Sequence, residues 1–128
     1  MKPLTHDWIK KAEEDFLVAA QIMRRKKQRV FNAACFHCQQ TVEKYFKARL
    51  HEAEIPFPKT HDLIALLKLL EAVEPLWIAY IPVARSLTGY AVNFRYPGED
   101  ATLAEAQLAL KHCRSLRTEM RRNLGLKK

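Results

Sequence analysis

The chain has 128 residues, 48% of them hydrophobic, with three glycines and a formal net charge of +8. A single domain of this size can bury a sizeable core, and so little glycine argues against a turn-rich all-β fold. No apolar run approaches the roughly 18 residues that span a bilayer. The N-terminus carries no apolar signal segment, so no membrane association and a soluble, cytoplasmic protein are expected.

The first predicted helix runs from about Asp7 to Lys27. Trp8, Ala12, Phe16, Ala19 and Met23 recur at three- and four-residue steps and share one face. Thr5 or Asp7 is suited to cap its start. Acidic Glu13, Glu14 and Asp15 precede basic Arg24, Arg25, Lys26 and Lys27, a polarity that complements the helix dipole.

The second, from about Phe31 to Ala53, contains neither glycine nor proline. Its apolar stripe includes Phe31, Ala34, Cys38, Val42, Phe46 and Leu50, and it is expected to be the central core element. Pro56 and Pro58 then break the chain. Thr60 is expected to cap a short, leucine-rich third helix from Asp62 to about Ala72. A fourth is expected from Leu76 to Phe94, kinked or divided at Pro82. Arg95-Tyr96-Pro97-Gly98 reads as a turn. Thr102 and Glu105 have capping-box spacing, and a fifth helix follows to about Asn123, stopped by Gly125. Five amphipathic helices predict an all-α, up-and-down bundle occupying the whole chain as one domain, with a core over about 4–124 and a short basic tail.

Cys35, Cys38 and Cys113 are an odd number of thiols. Cys35-x-x-Cys38 lies inside a helical pattern and has no second ligand pair, so buried thiols are expected in preference to a redox or zinc site. No metal site and no cofactor are expected. No phosphate loop, zinc-protease motif or nucleophile elbow occurs either.

Three polar features break the amphipathic pattern. His37, Gln40 and Lys44 share one face of the second helix, which reads as a solvated face or as a functional, partner-facing one. His61-Asp62 stands at a helix start, where the carboxylate favours the helix dipole and can also orient a histidine as a general base. Arg95 can bind phosphate, stack on a base, or pin its own turn. Two basic clusters, residues 24–29 and Arg114/Arg117/Arg121, make a continuous surface only if they converge in space. A positive excess favours anionic partners.

The run Cys35-Phe36-His37-Cys38-Gln39-Gln40-Thr41-Val42-Glu43-Lys44-Tyr45-Phe46 resembles the signature helix of HEPN domains (higher eukaryote and prokaryote nucleotide-binding). The resemblance extends to Asp15 and Ala19, to Thr60-His61-Asp62-Leu63, and to Tyr90 through Arg95-Tyr96-Pro97. It implies a helical bundle that forms a homodimer or higher homo-oligomer, often encoded beside a small nucleotidyltransferase in toxin–antitoxin-like modules. Ligand-binding candidates under this resemblance are His37, Gln40, Lys44, Arg95 and Tyr96, with a nucleotide, RNA or another polyanion as ligand. One branch of the family consists of metal-independent ribonucleases that carry an arginine followed after four to six residues by a histidine. Here the corresponding positions after Arg95 are Asp100, Ala101 and Thr102. Catalytic candidates for that alternative are His37, His61 and Arg95, acting in a dimer.

Overall fold

A computed structural model of the chain describes residues 1–91 and 97–127. Its helices are α1 (Pro3–Arg24), α2 (Phe31–Glu52), α3 (Leu63–Leu70), α4 (Ile81–Thr88) and α5 (Leu103–Asn123), with 3-10 turns at Pro75–Tyr80 and Gly89–Ala91. There is no strand among the described residues.

The directions of the helices follow from their cross-links. The start of α1 meets the end of α2, where the Thr5 hydroxyl donates to Glu52 at 2.9 Å, so the two are antiparallel. Asn32 donates to Asp100 at 2.9 Å and Arg49 donates to Asn123 at 2.7 Å, so α5 runs alongside α2 in the same direction. The prolines at 56 and 58 do more than interrupt the chain. Residues 53–62 form a returning leg, along which Phe57 packs edge-on against Trp8 with ring centroids 6.1 Å apart. That leg brings His61 back to the level of Glu43, and α3 then runs in the direction of α2. The Leu63 amide donates to the Thr88 hydroxyl at 3.2 Å, so α4 runs back against α3.

No residue of α2 is exposed, as expected of the central element. Tyr45, Phe46 and Leu50 on α2, Leu63 and Leu66 on α3 and Leu116 on α5 are fully enclosed. Each such side chain contributes roughly 1.5–3 kcal/mol of transfer free energy.

The helix boundaries differ from the sequence expectation where local chemistry competes. α1 begins at Pro3, because proline's fixed φ suits the first helical position; Thr5 is therefore inside the helix and buried, and caps nothing. α1 also stops at Arg24, three residues short of Lys27. Asp62, not Thr60, caps α3, its carboxylate accepting from the amides of Ile64 and Ala65. Thr60 accepts from the Asp62 amide instead, at 3.1 Å. Pro82 divides the fourth segment: it sits in the first turn of α4, where its missing N–H costs nothing. The expected end of that helix at Phe94, and the Arg95-Tyr96 part of the turn, lie outside the described residues. The Thr102–Glu105 capping box is formed. α5 ends on Gly125 at φ +75°, with the Leu126 amide returning 2.8 Å to the Arg121 carbonyl.

A candidate polar seam between the first two helices

The polar face of α2 is turned inward. Gln39, Gln40, Glu43 and Lys47 are all buried, and so is Asp15 on α1. Buried polar groups persist only when they are hydrogen-bonded, and these form two clusters.

In the first cluster, Asp15 lies between two residues of α2. Its Oδ1 is 2.7 Å from His37 Nδ1, and its Oδ2 accepts from the Lys44 ammonium. Burial opposes ionisation of Asp15, but the hydrogen bonds and charges of His37 and Lys44 outweigh it and hold the carboxyl below its ordinary value. At neutral pH the carboxylate therefore only accepts, so His37 Nδ1 carries the proton. In the neutral imidazole this leaves the lone pair on Nε2. The His37 side chain keeps 27% exposure, against 11% for Asp15. Phe36 meets the histidine ring edge-on at 5.3 Å.

The second cluster surrounds Glu43, whose side chain is 3% exposed. It accepts from Gln39 at 3.1 Å and from Lys47 at 3.1 Å, and its Oε1 is 2.8 Å from His61 Nδ1. Gln39 also donates to the His61 carbonyl at 3.1 Å, which fastens the returning leg to α2. Gln40 donates to Gln39 at 2.7 Å.

Of the residues singled out from sequence, His37 and Lys44 converge on Asp15. Gln40 shares their face but turns to Gln39. His61 joins Glu43 and remains largely exposed. Arg95 and Tyr96 lie outside the described residues. The face read as solvated or partner-facing is mostly an internal contact, with the edge of His37 left open.

Sequence reasoning did not single out Glu13. This residue accepts both nitrogens of an Arg117 fork at 2.7 and 2.6 Å, as well as the Tyr45 hydroxyl. Arg117 also lies 4.4 Å over the ring of Phe16. Two members of the Arg114/Arg117/Arg121 cluster are thus internal ties, since Arg121 donates to Tyr45 at 3.0 Å. Acidic residues early in α1 carry a helix-dipole signal, but nothing local points to partners on α5.

All three cysteines are buried. Burial, reinforced by Glu105, pushes the Cys35 thiol up to about 12. The Cys38 thiol is also raised, by its hydrogen bond to Cys113 and by burial. Both stay protonated at neutral pH, unsuited to act as nucleophiles or metal ligands.

The described residues form an all-helical bundle with a carboxylate–histidine–lysine seam between its first two helices. A family model for the HEPN domain matches residues 5–123, nearly the whole chain, and the protein belongs to that family. Comparison with curated proteins finds no match, and comparison with solved structures finds none. No described helix is long and apolar enough to cross a membrane.

Proposed function

We propose that this HEPN domain is a nucleotide- or polyanion-binding interaction module. It works as a homodimer and as the partner of a small nucleotidyltransferase in a toxin–antitoxin-like pair. Family membership supports nucleotide-binding or ribonuclease-type function in general. The observation that favours this location is the edge of His37, held in one orientation by Asp15 and flanked by Lys44. A phosphate approaching Nε2 there meets an imidazole that becomes a cation on protonation, and a nearby ammonium. Arg95 and Tyr96 supply a guanidinium fork and a stacking ring. Gln40 braces the seam from within through Gln39. The test is calorimetric titration with ATP, with Arg95→Ala as control. Binding that weakens in the variant supports the reading, and absence of heat at millimolar ATP overturns its nucleotide part.

One observation favours a second reading, a metal-independent ribonuclease. A carboxylate on Nδ1 is the arrangement that leaves Nε2 ready to take a proton from a ribose 2′-hydroxyl. Arg95 would stabilise the phosphorane charge. Incubating RNA in EDTA with wild type, His37→Ala, His61→Ala and Arg95→Ala decides it. Cleavage lost in His37→Ala or Arg95→Ala supports the reading. No cleavage by wild type, or cleavage surviving all three changes, overturns it.

A further inference from the structure

Several arginines and lysines along the length of the bundle meet carboxylates. Arg117 meets Glu13, Arg49 meets Glu74, Lys44 meets Asp15 and Lys47 meets Glu43. The end of the bundle where α1 turns into α2 is different. Arg24, Arg25, Lys26 and Lys27 leave α1 as an exposed basic run, and the next residue, Gln28, has φ +55°. Arg29 follows, half-buried, with its guanidinium 5.5 Å over the ring of Phe31. Across from this loop, Lys111 and Arg114 stand exposed on α5. Arg29, Lys111 and Arg114 line one hollow of about 360 Å³, together with Met23, Gln107 and Leu110. The two basic clusters of the sequence therefore converge here, through Arg29 and Arg114.

None of these seven cations makes an ion pair or a side-chain hydrogen bond among the described residues. The neighbouring carboxylates are occupied elsewhere: Asp100 accepts from Asn32, and Glu105 closes the capping box of α5. Unpaired like charges held together are unfavourable in the free protein, and an anion relieves that repulsion. The ligand's character follows from the lining. Arginine forks match phosphate oxygens two at a time. The apolar floor from Met23 and Leu110 offers a surface for a base or sugar. The volume is in the range of small-ligand sites, about 300–1,000 Å³. The open basic run beyond the hollow continues the positive path past one nucleotide.

We infer that the α1–α2 loop and the first half of α5 form a binding site for a single-stranded nucleic acid. Arg29 and Arg114 clasp one backbone phosphate inside the hollow, and residues 24–27 carry the strand outward. This extends the polyanion part of the function proposed above and is independent of its nucleotide part. The ATP titration is read through Arg95→Ala and the oligonucleotide titration through Arg29 and Arg114, so either experiment can fail while the other succeeds.

The test is fluorescence anisotropy with a labelled 12-mer of uridylate, across a series of salt concentrations. The Arg29→Ala/Arg114→Ala variant is compared with Lys59→Ala/Lys68→Ala, which removes two exposed lysines far from the hollow. Wild type should bind with affinity that falls steeply as salt rises. The Arg29/Arg114 variant should bind at least tenfold more weakly, with a log–log salt slope shallower by about 0.7, the value of one lost phosphate contact on a single strand. The lysine control should stay within twofold of wild type. Absence of binding at low salt overturns the inference, and so does equal weakening in the control. Vesicles of anionic phospholipid that bind the protein and displace the 12-mer, with the same dependence on Arg29 and Arg114, would assign the site to a lipid surface and overturn it as well.

Discussion

His37 Nδ1 and Asp15 Oδ1 lie 2.7 Å apart across the α1–α2 interface, and the same carboxyl group receives Lys44 on its other oxygen. One carboxylate thus fixes two positions of α2 seven residues apart. Replacing Asp15 with Asn removes the charge that both groups use and should destabilise the fold by about 2 kcal/mol at pH 7. The pH dependence has a definite sign. The Asp15 pKa is depressed in the folded protein below the ordinary aspartate value of 3.8. Its contribution is therefore present above that value and is lost as pH falls through the lower folded value. Urea denaturation should show the wild type and Asp15→Asn converging in stability as pH falls below the ordinary aspartate value, and a gap that stays constant down to acid would contradict the assignment.

Glu54 closes α2 in a conformation that ordinarily calls for glycine. Its φ is +60°, its amide donates to the His51 carbonyl at 3.0 Å, and the Ile55 amide returns to Leu50 at 2.9 Å. A side chain costs about 1 kcal/mol in this left-handed position. The exposed Lys2–Glu54 pair returns only a fraction of that. Glu54→Gly should therefore raise stability by about 0.5 kcal/mol, visible as a small rise in Tm by calorimetry. A fall in Tm would mean that the Lys2 contact outweighs the backbone strain.

Much of this architecture is legible in the sequence, because local rules govern it. The Trp8-to-Met23 spacing, the Thr102–Glu105 box and the Gly125 stop each act within a turn or two of helix. Pro3 carried a readable signal too, as a residue suited to a first helical turn. What is not legible depends on long-range placement. Nothing in the Pro56-Phe57-Pro58 stretch says that the chain travels back along α1 before α3 begins. Asp15 meets His37 across 22 residues, and Arg117 meets Glu13 across 104, with no periodicity linking either pair. The candidate site divides the same way. The shared face of His37 and Lys44 follows from helical spacing, whereas the acidic partner that turns it inward comes from another helix.

The thiols offer a direct check on the packing of α2 against α5. Cys35, Cys38 and Cys113 are fully enclosed, and raised pKa values hold Cys35 and Cys38 in the unreactive protonated form. A disulfide reagent added to the native protein should label none of them within minutes. In guanidinium all three should react at once. Fast labelling of the native protein would show that the α2–α5 contact opens readily.

Arg117 ties α5 to α1 by two means at once, a two-pronged bond to Glu13 and a stack over Phe16. The two contributions respond differently to substitution. Arg117→Lys keeps the charge but loses the fork and the planar stack, and should cost about 1 kcal/mol. Arg117→Ala loses all three and also leaves Glu13 with only its Tyr45 and Arg121 contacts. It should cost about 2 kcal/mol, because a part-buried carboxylate is left short of partners. Burial opposes ionisation of Glu13, but Arg117 and Tyr45 more than compensate and hold its carboxyl low. Removing Arg117 should therefore move the acid unfolding midpoint to higher pH. Equal stability of the lysine and alanine variants in urea denaturation would show that the retained charge contributes nothing and that the whole effect lies in the fork and the stack.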